Sequence, residues 1–219
     1  MILVGQYDSP FVRRVAVTMN IYTMPFERRV LSVFTDFEAM LAVNPLGKVP
    51  VLQLEDGELL YDSRAILDYL DGLVPVEKRL VPAGEPHRRR ILRIEAVALG
   101  LAEKLYERGV EFARRDQAKR DPAMVARAET QIASALSWLD ALRPAPWFHG
   151  DRISRADVTA AIAVTYMREK HSALAARAQH AFVAAHCDRC EGLIEFARAA
   201  YSAAEAQRSG WRPEHAPGL

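Results

Sequence analysis

Two domains of different class, an α/β unit followed by an all-α unit, are what this chain predicts, and three observations predict them. A length of 219 residues exceeds the commonest single-domain size and suits two small domains. Short β-branched or apolar runs alternate with helix-like stretches over residues 1–80 and then cease. The charge balance turns over at the same place, with 8 basic and 11 acidic side chains in residues 1–80 and 21 and 17 in residues 81–219.

Taken in order, the strand-like runs are Ile2–Val4, Glu27–Val33, Val49–Leu54 and Leu59–Tyr61. The first domain therefore reads strand, helix, strand, helix, strand, strand, helix. Glu55-Asp56-Gly57 predicts a hairpin turn, because Asp-Gly tolerates positive φ, and the earlier helices imply a parallel crossover. A linker spans Leu73–Pro86, broken by Pro75, Pro82 and Pro86. Beyond it, Arg88–Arg115, Pro122–Leu142, Ser154–Lys170, Leu174–Ala185 and Glu191–Ala203 carry apolar residues at spacings of three and four and are rich in helix formers. The expected domains are residues 1–75 and 86–205. The tail after Ser209, with Trp211, Pro213 and Pro217, reads as a loosely held terminus.

Composition narrows the function classes. Half the residues are hydrophobic and 26% charged, which supports a sizeable core and excludes disordered, collagenous and coiled-coil classes. A net charge of +1 provides no global field for nucleic acid or a membrane surface. The two cysteines, Cys187 and Cys190, form no disulfide framework and fit a reducing compartment. The first residues lack a signal-peptide pattern, and no apolar stretch approaches about 18 residues, so the expectation is a soluble cytoplasmic protein.

Three segments can carry chemistry. Gly5-Gln-Tyr-Asp-Ser9-Pro10-Phe-Val-Arg follows a strand and opens an amphipathic run. Ser9 reads as an N-cap and Pro10 as the first helical position, where a missing N–H costs nothing. The free N–H groups and the helix dipole there favour a thiolate or carboxylate; the alternative is that Ser9 only caps. Asn44-Pro-Leu-Gly-Lys48-Val49-Pro50 makes an irregular loop, and a cis bond at Val49-Pro50 would turn the Val49 backbone toward a ligand. In Tyr61-Asp62-Ser63-Arg64, Ser63 reads as an N-cap and Asp62 as a group that complements the dipole or holds an ammonium.

In this order and spacing the three segments resemble the soluble glutathione transferase family over nearly the whole chain, most closely its bacterial serine-type members, the YibF-like group among them. Gly150-Asp-Arg-Ile153-Ser154-Arg-Ala-Asp157 resembles that family's capping box and hydrophobic staple. The resemblance implies a thioredoxin-like, glutathione-binding first domain and an all-helical second domain that forms the electrophile pocket. It implies Ser9 as the catalytic hydroxyl donating to the glutathione sulfur, Pro50 as the cis-proline, and Val49 as the backbone partner of the cysteinyl part. It also implies Ser63 for the γ-glutamyl carboxylate, Asp62 for the amino group, Lys48 for the glycyl carboxylate and Tyr106 for the electrophile pocket. Glutathione is the implied co-substrate, with no metal, and the partners are a small hydrophobic electrophile and a second copy of the chain. Asp62 departs from the family, which usually has Glu there.

The residues also bear on other chemistries. Ser9-Pro-Phe-Val12 stands where a dithiol oxidoreductase carries Cys-x-x-Cys, which excludes that chemistry at this helix start. Cys187-Asp-Arg-Cys190 with His180 and His186 nearby lacks the second cysteine pair of a zinc site. His87-Arg-Arg-Arg90 reads as a solvated helix face. The alternative function is a non-catalytic glutathione-fold binding or regulatory protein, similar to the stringent-starvation relatives.

Overall fold

The computed structural model describes residues 1–210. They divide into one unit formed by Met1–Gly84 with the chain from Glu191 onward, and a second formed by Glu85–Cys190. The expected loose tail at Trp211, Pro213 and Pro217 lies outside the described residues.

The first unit is built on a four-stranded sheet in the order β2-β1-β3-β4. β1 (Ile2–Val4) is followed by α1 (Pro10–Ile21) and by β2 (Glu27–Arg29), which pairs parallel to β1 with Ile2 opposite Glu27. The ladder ends at Arg29, short of the expected Val33. β2 is an edge strand whose three residues are charged and exposed, a pattern that discourages further pairing. After α2 (Phe37–Leu41), β3 (Val51–Gln53) runs antiparallel to β1, and β4 (Leu59–Tyr61) antiparallel to β3, before α3 (Ser63–Gly72). The hairpin turn forms as expected: Leu54 N–H donates to the Glu58 carbonyl at 2.8 Å, and Gly57 has φ +92°. Val4 and Val51 pack with Met40 of α2 on one face of the sheet. Alternation then points their buried neighbours Leu3 and Leu52 to the other face, where α1 and α3 pack.

The second unit is helical. α4 (His87–Arg114) packs against α5 (Pro122–Ala141) and α6 (Arg155–Lys170), and α7 (Ser172–Arg177) and α8 (Ala181–Glu191) follow. The Asp121 side chain caps α5 ahead of Pro122, and Ser154 with Asp157 forms the expected capping box at α6. A buried pair, Arg155 Nε to Glu95 Oε2 at 2.9 Å, ties α6 to α4. His87, Arg88, Arg89 and Arg90 are all exposed on the first turn of α4. Among the described residues no helix is long and apolar enough to cross a membrane.

Two expected helices come out differently. The run at Leu174–Ala185 is broken by Ala178, whose backbone is extended. The run at Glu191–Ala203 yields only α9 (Ile194–Ala197) and α10 (Ala203–Arg208): Gly192 follows the end of α8, and Ser202 caps a new helix by accepting from Glu205 N–H at 3.2 Å. The expected second domain extended to residue 205, but from Glu191 onward the chain packs in the first unit. Buried Arg13 of α1 explains this. Its Nη1 and Nη2 donate to the Glu191 carboxylate at 2.7 and 2.6 Å and its Nε to the Ala199 carbonyl at 2.6 Å, because a buried guanidinium must be paired.

Candidate active site

Sheet register brings the three sequence segments to one edge. Val4, Val51 and Tyr61 lie side by side across β1, β3 and β4. The chain leaving β1 at Gly5, the chain entering β3 through Val49-Pro50 and the chain leaving β4 at Asp62 therefore meet beyond the same end of the sheet. Gly5 is required there: its φ is +133°, and a Cβ would stand 2.5 Å from Val12 Cγ2 and 3.1 Å from Val49 Cβ.

Ser9 is the N-cap of α1, with an extended backbone and Pro10 at the first helical position. Its Oγ accepts from Val12 N–H at 3.5 Å, a long bond that holds the hydroxyl weakly. Because the oxygen is the acceptor in that bond, the cap does not consume the hydroxyl proton. The side chain is half-buried, as a group meant to meet a ligand must be.

The Val49-Pro50 bond is cis. Asn44 braces the loop before it, donating from Nδ2 to the Lys48 carbonyl at 2.8 Å and accepting from Leu46 N–H at 3.0 Å. Gly47 has φ +59°, and a Cβ there would lie 2.5 Å from the Phe37 ring. Pro50 is buried, Val49 half-buried, and the Lys48 side chain exposed.

At α3 the cap differs from the expectation. Asp62, at φ +70°, is the N-cap, and its Oδ1 accepts from Arg64 N–H at 2.8 Å; Ser63 is the first helical residue. Asp is among the few side-chain-bearing residues that tolerate positive φ, and it brings its oxygen over the helix end, displacing Ser63 from the cap. The buried Ser63 Oγ instead accepts from Arg14 Nη1 at 3.2 Å. Arg14 is almost fully buried under this helix start. Since Ile66 N–H bonds to the Asp62 carbonyl, the helix leaves the N–H groups of Ser63 and Ala65 for other partners.

Two helix N-termini thus open at one sheet edge, one carrying a hydroxyl with an uncommitted proton. That arrangement suits two negative groups, a thiolate over α1 and a carboxylate over α3. Tyr106 lies on α4 in the helical unit and is 39% exposed, with burial pushing its hydroxyl pKa up. Tyr7, two residues before Ser9, lines a cavity of about 400 Å³ with Met24, Phe26 and Arg28. Its pKa is pushed up by burial against the opposing charge of Arg28. Cys187 and Cys190 are buried and neither is in a disulfide, and among the described residues no group of three or more His, Cys, Asp or Glu could hold a metal.

Arg14 and Glu205 were not found from the sequence. Arg14 sits on an amphipathic pattern that marks it only as helical. Glu205 lies about 200 residues from the loop it holds, where its carboxylate accepts from Tyr7 N–H at 2.6 Å, and no local pattern encodes such a pairing.

Comparison with known proteins identifies the family. The model of the glutathione S-transferase N-terminal domain matches residues 3–82, and that of the glutathione S-transferase C-terminal domain matches residues 97–193. The GST-like protein YibF of Escherichia coli is 30% identical over 76% of this chain and 82% of its own length. A glutathione S-transferase of Methylobacterium radiotolerans, solved in complex with glutathione sulfonate, superposes with a TM-score of 0.84 at 28% identity, covering 90% of this chain and 93% of that one. Another, from Methylobacillus flagellatus with glutathione bound, gives 0.84 at 29% identity over 92% and 99%. The two family models together span most of the 219 residues: this chain belongs to the glutathione S-transferase family.

Proposed function

We propose that this chain binds glutathione at the sheet edge formed by Ser9, Val49-Pro50 and Asp62-Ser63, and activates its thiol for attack on a small apolar electrophile. The observation that carries the reading is the convergence of the α1 and α3 N-termini on that edge, with the Ser9 hydroxyl proton unused by its cap. Two relatives of similar fold were solved with glutathione or its sulfonate bound, which supports the same ligand here.

Ser63 and the α3 N–H groups take the γ-glutamyl carboxylate, and the Asp62 carboxylate, which has a second oxygen beyond its cap, takes the amino group. The Val49 backbone pairs with the cysteinyl part, and exposed Lys48 faces the glycyl carboxylate. The sulfur lies over Ser9. A free cysteine thiol has a pKa of about 8.5, and lowering it by roughly two units needs about 2.7 kcal/mol of preferential stabilisation of the thiolate. One charge-assisted hydrogen bond and a helix N-terminus supply that order of energy. The thiol proton leaves to solvent and the sulfur lone pair forms the bond to an electrophilic carbon; the bond broken there gives its electron pair to the departing group or, in addition across a double bond, to the neighbouring atom, which takes a proton from water, and Ser9 keeps its proton throughout. Tyr106 supplies apolar surface for the electrophile.

Passage over immobilised glutathione, followed by turnover of an electrophile panel with and without free glutathione, tests the assignment. Retention, release by free glutathione and glutathione-dependent turnover are expected; passage without retention contradicts it. We also propose a cytoplasmic homodimer, since neither cysteine is in a disulfide and residues 1–80 and 81–219 carry opposite net charge. Sedimentation at micromolar concentration should give twice the 24.5 kDa chain mass, and a species of 24.5 kDa contradicts it.

A further inference from the structure

We infer that Glu205 is a positioning residue for Ser9, holding from the far end of the chain the turn that delivers the hydroxyl to the sulfur; the inference rests on the proposed role of Ser9. The turn Gln6–Ser9 joins β1 to α1 and is closed by one backbone bond, Ser9 N–H to the Gln6 carbonyl at 3.1 Å. The chain around α10 supplies further restraints. Tyr7 N–H donates to Glu205 Oε2 at 2.6 Å, Gln6 Nε2 donates to the Glu205 carbonyl at 2.8 Å, and Ser209 Oγ donates to Gln6 Oε1 at 2.6 Å. Gln6 and Tyr7 are buried, so without the carboxylate the Tyr7 N–H is a buried donor lacking its acceptor.

Glu205 is itself held. Its backbone N–H donates to Ser202 Oγ, and its Oε1 accepts from Arg28 Nη2 at 2.9 Å while the Arg28 guanidinium lies 3.4 Å over the Tyr7 ring. Arg28 also balances the carboxylate charge, which otherwise opposes a thiolate nearby. These contacts tie the turn to α10 and β2, so their loss is expected to loosen the turn first. A hydroxyl–sulfur hydrogen bond weakens steeply with distance and angle, so small play in the turn reaches the chemistry.

The test is a pH titration of bound thiolate by its ultraviolet absorbance in wild type, Glu205→Ala, Glu205→Gln, Ser9→Ala and the double variant Ser9→Ala/Glu205→Ala. Glu205→Ala should raise the thiol pKa by about half a unit to one unit, with glutathione affinity within about twofold of wild type and faster hydrogen exchange at the Tyr7 amide. Glu205→Gln keeps an oxygen acceptor for Tyr7 N–H but leaves the Arg28 charge unbalanced, so it should titrate at the wild-type midpoint or slightly below it, never above. The double variant should titrate like Ser9→Ala alone, because the tether acts only through that hydroxyl. A wild-type curve for Glu205→Ala, an additive double variant, or a Gln variant as defective as Ala overturns the inference while leaving the role of Ser9 intact. A wild-type curve for Ser9→Ala overturns that role first, and the tether's purpose with it.

Discussion

Replacing Ser9 by alanine is expected to leave glutathione bound nearly as tightly while raising the pKa of its thiol by about one to two units. The size follows from one charge-assisted hydrogen bond of about 1.5–3 kcal/mol made to the thiolate and not to the thiol. Such a bond lowers the thiol pKa, so its loss moves thiolate formation to higher pH. With a wild-type midpoint roughly two units below 8.5, the deficit in turnover is about threefold to 25-fold near pH 7, grows toward lower pH and shrinks as pH rises. The cap contributes little to the change, since Ser9 Oγ stands 3.5 Å from Val12 N and Pro10 already presets the helix start. A pH–rate profile of both proteins checks this: parallel curves would make Ser9 a cap alone.

The complementary expectation concerns Ser63. Its hydroxyl oxygen accepts from Arg14 Nη1 at the start of α3, where the γ-glutamyl carboxylate is proposed to bind. With Arg14 donating to that oxygen, the hydroxyl proton is directed to an acceptor elsewhere, the orientation a bound carboxylate needs. Ser63→Ala removes this donor and strips Arg14 of a partner in a buried place, so glutathione affinity should fall about tenfold to a hundredfold. The pKa of the bound thiol should stay at the wild-type value, because the sulfur environment is untouched. Calorimetric titration with glutathione measures the first quantity, and ultraviolet titration at saturating ligand the second. A Ser63→Ala protein that binds normally places the γ-glutamyl group elsewhere.

The two substitutions are expected to separate binding from activation, because Ser9 and Ser63 open different helices. Ser9, the Val49-Pro50 step and the Asp62-Ser63 pair were legible in the sequence because each is local: a cap residue before proline, a proline entering a strand, a polar pair at a helix start. The order of capping at α3 was not legible. Whether Asp62 or Ser63 covers the helix end depends on a positive φ at Asp62, and both residue types are good caps. Arg14 shows a different limit, since helical periodicity marks it as part of α1 but says nothing of a partner 49 residues away.

The late chain was read least well for the same reason. Glu191–Ala203 has the composition of one helix, yet Glu191 ends α8 and pairs with Arg13, and Ser202 starts α10. Those choices satisfy buried polar groups of the first unit, a requirement that no window of the sequence displays. Parallel pairing of β1 with β2 and the β3–β4 hairpin, by contrast, followed from element order and one Asp-Gly turn. Elements read well where short-range signals decide them, and less well where distant partners do.

The central claim is that this chain binds glutathione and holds its sulfur as a thiolate. Titrating the ultraviolet absorbance of thiolate in the wild-type complex against pH, at saturating glutathione, measures it directly. Absorbance rising with a midpoint roughly two units below the free thiol value of about 8.5 is the result expected. A midpoint equal to that of free glutathione, with the ligand bound, would contradict it.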